Sequence, residues 1–262
     1  MVFIRSVSFK QIRLAIVALL SAACTSTPPA PLRIAAAADL QHALPDVAKA
    51  FGQQHAGVRI EPTYGSSGMF YAQLVNHAPF DLYLSADVQY PRKLSEQGLT
   101  LPGSDFTYAD GRIVLWSANA SGVDVERLGM DALRQPAVRH IAIANPAHAP
   151  YGRAADAALH SLGLYDAVKD KLVMGENISQ TFQMAQSGAA EVGIVALSLA
   201  IAPGATGQGH YWEVPRDAYP RIQQGGAIMK WTKNPEAAQA FRAFLLSPDG
   251  RAILKRYGFS GD

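Results

Sequence analysis

Four short stretches of small, mostly uncharged residues stand directly before predicted helices. They are residues 37–39, 65–68, 149–152 and 176–179. A helix N terminus leaves backbone N–H groups unpaired and carries partial positive charge, so it can hold an anion without lysine or arginine. Ser66 or Ser67 adds a hydroxyl donor. Together the four turns predict an anion site built from neutral donors, although a Gly-Ser-Ser-Gly run by itself is more typical of a plain turn with a helix N-cap.

Chemistry that makes or breaks covalent bonds has no recognisable arrangement in this sequence. Neither serine of the 65–68 turn lies in a Gly-x-Ser-x-Gly nucleophile elbow. The seven histidines include no pair at the spacing of a helix-borne metal site, and phosphate-binding and dinucleotide-binding glycine loops are missing. Asp39 and His148 are the only nearby acid–base candidates for an exported enzyme acting on a phosphorylated or sulfated metabolite. We therefore predict a binding protein without a cofactor, and no enzyme.

The bulk composition is that of a globular chain without a charged face. The 262 residues are 49% hydrophobic, which is enough to bury the core of one or two domains. Lysine and arginine number 23 against 21 acidic residues, the net charge is +2, and neither sign forms a block. A nucleic-acid partner is therefore not expected.

Strands and helices alternate from residue 32 onward. Buried strands are predicted at 32–37, 58–63, 82–85, 113–117, 140–144, 192–196 and 227–230. Helices are predicted at 39–51, 69–76, 91–97, 151–162 and 178–187, with two more over 234–257 that are separated at Ser247-Pro248. This alternation predicts an α/β fold with mainly parallel sheets, in which ligands bind beyond the carboxyl ends of the strands.

The first 31 residues predict a signal peptide followed by a tether. Arg5, Lys10 and Arg13 precede an apolar run at 14–20, and small residues lead to Cys24. The run is shorter than the roughly 20 residues that cross a bilayer. Cys24 is the only cysteine and is a candidate for lipid attachment, although Ser21 replaces the usual leucine three positions before it. Export to the periplasm is predicted, either as a soluble protein or as a lipoprotein anchored through Cys24.

Several short motifs recur in a fixed order between residue 32 and the C terminus. They occupy residues 35–40, 64–68, 78–82, 84–87, 144–146, 149–152, 193–195 and 255–259. In this order and spacing the sequence resembles the periplasmic molybdate-binding proteins of ABC uptake systems. The resemblance covers the chain from residue 32 onward and is more specific than any one of the motifs.

The resemblance implies a type II periplasmic binding protein, with two Rossmann-like α/β lobes joined by a two-stranded hinge. Lobe 1 is expected to contain residues 32–110 and 218–262, and lobe 2 residues 111–217. The lobes are expected to close on molybdate or tungstate by a hinge motion. The implied partner is the transmembrane permease of an ABC importer, and the protein is expected to be a monomer.

The same resemblance implies a set of ligand-binding residues. They are Ala38, Asp39, Ser66, Ser67, Tyr151 and Ile178. Ser67 is expected to give its hydroxyl and N–H groups, and Tyr151 and Ile178 their backbone N–H groups. The first turn gives its N–H at Asp39, next to Ala38. Molybdenum would enter only inside its oxyanion, with no direct bond from the protein to the metal.

Two positions depart from the family pattern. Ala196 stands where a tyrosine often follows Gly-Ile-Val, and the ring of Tyr151 is expected to fill that space. Asp39 stands where serine or asparagine is common, and its carboxylate would be repelled by a dianion in a dry site. We expect the Asp39 side chain to turn away and cap its own helix, which leaves only its N–H towards the ligand.

An Asp39 carboxylate that faces the cleft would change the expected ligand. It is a hydrogen-bond acceptor, and phosphate or arsenate keeps a proton near neutral pH that it could accept. Molybdate, tungstate and sulfate are fully deprotonated there and would be disfavoured. The alternative is therefore the same fold binding phosphate or another small oxyanion.

Overall fold

The computed structural model describes residues 30–261. Cys24, the predicted signal peptide and all but the end of the predicted tether lie outside the described residues, so these features stay predictions. Within the described residues, strands and helices alternate along most of the chain. In this part of the chain, no helix combines the length and the apolar character needed to cross a membrane.

The described residues form ten strands and ten α-helices. The strands are β1 Leu32–Ala37, β2 Ile60–Gly65, β3 Leu82–Ser85, β4 Phe106–Gly111, β5 Ile113–Ala118, β6 Ile141–Ala144, β7 Leu172–Gly175, β8 Val192–Ala196, β9 Gly209–Glu213 and β10 Ile222–Ile228. The helices are α1 Ala43–Gln54, α2 Ser67–Val75, α3 Gln89–Glu96, α4 Val125–Leu128, α5 Pro150–Ser161, α6 Tyr165–Val168, α7 Ile178–Gln186, α8 Leu197–Ala200, α9 Pro235–Leu246 and α10 Pro248–Arg256. Short 3-10 helices lie at Ala38–Leu40, Asn119–Ser121, Gly129–Arg134 and Lys169–Lys171.

The strands form two five-stranded sheets, one in each lobe. The order is β2-β1-β3-β10-β4 in the first sheet and β7-β6-β8-β5-β9 in the second. Each sheet combines two parallel with two antiparallel pairings, so the prediction of mainly parallel sheets is wrong. Every antiparallel pairing involves β5 or β10. These two strands enter their sheet directly from the other lobe, without the helical crossover that makes neighbouring strands parallel.

The chain passes between the two sheets twice. Arg112 alone separates β4 from β5, and a longer connection runs from Glu213 to Ile222. These two connections form the hinge of the two-lobed α/β fold. We retain residues 32–110 with 218–262, and residues 111–217, as the proposed extents of the lobes.

The parallel strands of both sheets end at the same cleft. In the first sheet, Ala37 at the end of β1 lies in register with Gly65 at the end of β2. In the second sheet, Ala144 at the end of β6 lies in register with Gly175 at the end of β7. The segments that follow these strand ends therefore face one another across the cleft, which is where α/β sheets bind ligands.

Each lobe has its own apolar core. Phe51 packs edge to face against Phe241 and Phe244 in lobe 1, with ring centroids 5.2 and 5.7 Å apart. Trp116 packs against Phe182 in lobe 2, at 4.9 Å. These well-packed cores make each lobe a stable support for the residues at its strand ends.

Candidate functional site

A small cavity between the lobes is lined by all six residues that the sequence predicts for the site. They are Ala38, Asp39, Ser66, Ser67, Tyr151 and Ile178. The cavity has a volume of only about 10 Å³, far below the range of about 300–1,000 Å³ of pockets for drug-sized ligands. Its lining includes no lysine, arginine or histidine from the described part of the chain. The two lobes therefore nearly close this cavity, and the hydrogen-bond donors around it are neutral groups.

The N terminus of α2 brings two serines to the cavity with different hydrogen bonds. Ser67 is the first residue of α2, and its Oγ accepts a hydrogen bond from the Ala86 N–H at 2.9 Å. That bond uses a lone pair of Ser67 Oγ and leaves its O–H free to donate to a solute. The Ser66 hydroxyl instead donates to the carbonyl oxygen of His148 at 2.6 Å. Ser67 therefore has the available hydroxyl, while Ser66 joins the two lobes.

The N terminus of α5 exposes the N–H of Tyr151 because of the residues on either side of it. Pro150 begins the helix and has no N–H to offer. Gly152 lies so close to the end of β6 that an added Cβ would be 2.0 Å from the carbonyl oxygen of Ala144. A glycine is required there for the helix to start against the strand end. Tyr151 is thus the first residue of α5 with an N–H, and it is buried.

The N terminus of α7 presents the N–H of Ile178 for a similar reason. Asn177 caps the helix, and its side-chain oxygen accepts from the N–H groups of Ser179 and Gln180, each at 3.0 Å. The next amide, that of Thr181, donates to the Asn177 carbonyl oxygen at 3.1 Å. The cap satisfies the inner amides of the first turn and leaves the N–H of Ile178 available to a ligand.

The Asp39 side chain does not cap a helix, so that prediction is wrong. Ala38 and Asp39 lie in a 3-10 helix whose N-cap residue, Ala37, makes no side-chain capping bond, and α1 begins only at Ala43. The Asp39 Oδ2 atom accepts hydrogen bonds from the Tyr151 hydroxyl at 2.8 Å and from the Gln224 side-chain amide. Because these donors reach across from α5 and β10, the carboxylate is held at the junction of both lobes and the hinge.

The Asp39 carboxyl is buried without a compensating cation. Its exposure is 0%, and Oδ1 has no hydrogen-bond partner. Burial raises the pKa of Asp39 from 3.8 to about 6. The donors Gln224 and Tyr151 and the backbone N–H groups of Asp39 and Leu40 act in the opposite direction and lower it. Burial and the nearby carboxylate also raise the pKa of the Tyr151 hydroxyl well above its usual value. Tyr151 is therefore a neutral donor to Asp39 at physiological pH.

Direct hydrogen bonds between the lobes surround the cavity. The carbonyl oxygen of His148 accepts from the Gly68 N–H at 2.9 Å as well as from the Ser66 hydroxyl. The Ser198 hydroxyl donates to the backbone oxygen of Asp39 at 2.8 Å. His148, which the sequence singled out as an acid–base candidate, thus uses its backbone to hold the lobes together.

An ion pair and small apolar residues add to the contact between the lobes. Arg153 of α5 pairs with Asp87 at 2.6 Å. Ala37, Ala38 and Ala86 of lobe 1 pack into the apolar cluster of lobe 2. Small side chains at these strand ends allow the two lobes to approach closely around the cavity.

Gln224 lies at the centre of this network, and the sequence did not predict it. It is fully buried on β10, donates to Asp39, and its Nε2 lies 3.1 Å from the Tyr151 hydroxyl oxygen. Its own side-chain oxygen accepts from the Tyr108 hydroxyl at 2.7 Å. The local signal was a pair of glutamines, Gln223 and Gln224, beside two glycines, and it does not show which of them is buried or what its partner is.

The ring of Tyr151 occupies the hinge side of the site. Its hydroxyl would lie 2.1 Å from a Cβ added at Gly111, the last residue of β4, so glycine makes room for it. Ala196 is buried at the end of β8. Whether Tyr151 takes the place of the tyrosine that often follows Gly-Ile-Val in the resembled family stays a prediction.

The described residues contain no cluster of three or more His, Cys, Asp or Glu side chains that could hold a metal ion. The donors that line the cavity are N–H and hydroxyl groups, which bind anions through hydrogen bonds. The chemistry of this donor set therefore suits a solute that carries its own oxygens and negative charge.

Comparisons with known proteins agree with this arrangement. The chain is 40% identical over 230 residues to the molybdate-binding protein ModA of Azotobacter vinelandii, covering 88% of this chain and 90% of the relative. It is 41% identical over 206 residues to the molybdate-binding protein ModA of Rhodobacter capsulatus, covering 79% of each. The solved structure of the Azotobacter vinelandii periplasmic molybdate-binding protein matches with a TM-score of 0.82 at 38% identity, covering 88% of this chain and 99% of that one.

The family assignment rests on nearly the whole described chain. Residues 32–260 match the family described as bacterial extracellular solute-binding protein. That range includes both sheets, the hinge and every residue lining the cavity. The chain therefore belongs to the bacterial extracellular solute-binding protein family.

Proposed function

We propose that this protein binds molybdate, and tungstate as well, in the cavity between its lobes and delivers the oxyanion to an ABC importer. The observation that carries the proposal is the donor set. Three helix N termini and one 3-10 turn surround the cavity with N–H and hydroxyl groups, and no basic side chain of residues 30–261 lines it. Such a site holds a small, fully deprotonated anion through partial charges and hydrogen bonds.

The relatives support the choice of oxyanion and the role in transport. Two proteins that are about 40% identical to this chain are named as molybdate-binding. The predicted signal peptide supports export to the periplasm, where such a protein would meet its solute before the permease does. Export either as a soluble protein or with a lipid on Cys24, and a monomeric state, belong to the same proposal.

Each predicted residue has a proposed role. Ser67 donates through its hydroxyl and its N–H, and Tyr151 and Ile178 donate through their N–H groups. The 3-10 turn donates through the N–H groups of Ala38 and Asp39. The Ser66 hydroxyl stabilises the closed arrangement through His148, since it has already donated its proton there.

A second candidate ligand is phosphate or arsenate, and Asp39 is the observation that favours it. Its buried Oδ1 has no partner and could accept the proton that such an anion keeps near neutral pH. An ionised Asp39 would at the same time repel molybdate, tungstate and sulfate. Ligand preference therefore separates the two candidates.

The decisive experiment is a thermal-unfolding panel on the protein from residue 32 onward. Molybdate, tungstate, sulfate, phosphate and arsenate are each compared with no ligand. A ligand present at about 1,000 times its Kd stabilises the folded state by about 4 kcal/mol, which raises the Tm of a chain of this size by several degrees. Large increases in Tm with molybdate and tungstate alone support the proposal. Large increases with phosphate or arsenate would instead support the second candidate.

A matched pair of serine variants tests the donor assignment. Ser67→Ala removes the proposed hydroxyl donor and is expected to weaken molybdate binding by about tenfold to a hundredfold. Ser187→Ala removes a serine hydroxyl at the far end of α7, where it donates to Met184 at 3.3 Å, and is expected to leave the Kd unchanged. Equal Kd values for Ser67→Ala and wild type would contradict the assignment.

A further inference from the structure

The two oxygens of the Asp39 carboxyl lie in opposite hydrogen-bonding situations. Oδ2 accepts from two donors, the Tyr151 hydroxyl and the Gln224 amide. Oδ1 has no partner and is buried, in a residue that lines the oxyanion cavity. A buried polar atom without a partner is rare in a folded protein and calls for a specific explanation.

This pattern is the one expected of a carboxylic acid. The carbonyl oxygen of a protonated carboxyl has two lone pairs, and both are used when two donors reach it. The other oxygen then carries the proton and donates it outward. With Oδ2 saturated, Oδ1 is the oxygen that can hold a proton and offer it to a solute in the cavity.

Among residues 30–261, no cation beside Asp39 offsets a negative charge there. The neighbouring titratable side chains are the hydroxyls of Tyr151 on α5, Tyr108 on β4 and, beyond them, Tyr219. None of these hydroxyls can carry a positive charge. An ionised Asp39 would therefore face a bound dianion without a cation between them.

The elements packed on the 3-10 turn of Asp39 bring no cation either. They are β2, α7 and α8. The titratable side chains of β2 are Glu61 and Tyr64, while α7 and α8 contain none. His42 follows the turn on the same segment, and burial lowers its pKa, which keeps it neutral.

We propose that Asp39 binds the oxyanion as a neutral carboxylic acid, with its Oδ1–H donating to an oxygen of the ligand. This inference rests on the proposed function. Asp39 takes one proton from solvent as a fully deprotonated dianion enters, and it returns that proton when the dianion leaves. Protonation thereby changes Asp39 from a carboxylate that repels molybdate into a further hydrogen-bond donor to it.

The proposal fixes how binding depends on pH. Burial raises the pKa of Asp39 to about 6 before any ligand is present, and a dianion next to it raises that pKa further. Below about pH 6 the proton is already in place, so affinity is constant. Above it, each pH unit is expected to increase the Kd for molybdate by about tenfold, because one proton must be taken up on binding.

The test is isothermal titration of molybdate into wild-type protein near pH 7, in two buffers with different ionisation enthalpies. The dependence of the binding heat on the buffer gives the number of protons taken up. We expect about one proton per molybdate, and a slope of about one in log Kd against pH between roughly pH 6 and pH 8. Asp39→Asn keeps an oxygen for Tyr151 and Gln224 and an N–H for the ligand, so it is expected to bind without proton uptake and with a constant Kd.

Two controls make the outcomes distinct. Asp170→Asn replaces an exposed aspartate in lobe 2 and is expected to keep the proton uptake of wild type. The second control uses wild type alone, so it does not depend on the folding of a variant. The infrared spectrum of wild type is expected to gain a carboxylic-acid C=O band when molybdate is added. Binding of molybdate without proton uptake, or with equal uptake by Asp39→Asn, would overturn the inference alone. Failure of both molybdate and tungstate to bind wild type would overturn the proposed function together with it.

Discussion

The Asn177 cap offers a way to separate the stability of α7 from its role in binding an anion. Its side-chain oxygen accepts from the N–H groups of Ser179 and Gln180, both at 3.0 Å, and the residue lines the cavity. Replacing Asn177 by alanine removes the cap. Replacing it by aspartate keeps a capping oxygen but adds a negative charge at the place where the oxyanion is proposed to bind.

The two substitutions are expected to have opposite effects on stability and binding. Loss of an N-cap costs about 1 kcal/mol, so Asn177→Ala should lower the Tm by about 2–4 °C. Asn177→Asp should keep the Tm, since aspartate is an equally good cap and favours the helix dipole. For a dianion about 8 Å away and an effective dielectric constant of about 20, however, the repulsion is about 4 kcal/mol. Partial exposure of Asn177 reduces this by screening, and we expect molybdate binding to weaken by at least tenfold.

Urea unfolding and calorimetric titration with molybdate measure the two effects on the same samples. The expected result is a less stable alanine variant that still binds, and a stable aspartate variant that binds poorly. An aspartate variant with the wild-type Kd would refute the placement of the anion at the N terminus of α7. An alanine variant with wild-type stability would refute the role of Asn177 as a cap.

Three further substitutions test the hinge network, the α5 turn and the contact between lobes. The pKa of Asp39 is raised from 3.8 to about 6 on folding, so its ionisation reduces stability progressively as the pH rises through about 6. Asp39→Asn removes that cost of about 3 kcal/mol. The free energy of unfolding of the variant in urea should therefore rise relative to that of wild type between about pH 4 and pH 7. A difference between the two free energies that stays constant with pH would contradict this. Gly152→Ala places a Cβ 2.0 Å from the Ala144 oxygen. It should lower the stability measured by thermal unfolding by about 1–3 kcal/mol and also weaken molybdate binding. A variant with the Tm and the molybdate Kd of wild type would show that the turn tolerates a side chain. Ser198→Ala removes the 2.8 Å bond to the Asp39 oxygen and should lower the free energy of urea unfolding by about 1 kcal/mol, unless the bond forms only transiently, in which case no change is seen.

Local sequence patterns predicted most of the elements that carry the site. The apolar runs at 32–37, 82–85 and 192–196 form strands with those bounds. The Ser247-Pro248 break between the last two helices is also confirmed, because proline favours the first position of a helix and serine its cap. These features depend on residues that are neighbours in the chain, which is why the pattern alone was sufficient.

The elements that the sequence missed depend on distant partners. β4, β7 and β9 were not predicted. β9 is partly exposed on the edge of its sheet and β7 is only partly buried, so neither has the continuous apolar run of a central strand. The position of the Asp39 side chain was mispredicted because its partner Gln224 is 185 residues away. Propensity favours a helix cap for such an aspartate, and only the folded hinge brings the competing donors to it.

The hydrogen bonds that join the lobes directly have a consequence for how affinity and selectivity can evolve. Those from Ser66 to His148 and from Ser198 to Asp39 connect protein to protein, so they favour closure whatever the solute. A change in them alters the fraction of molecules in the binding-competent form, and the apparent Kd of every solute shifts by that same factor. The rank order among oxyanions is left to the groups that touch the ligand. Substitutions in these contacts can therefore change the affinity of the protein, to suit a scarce or an abundant solute, without changing its selectivity among oxyanions.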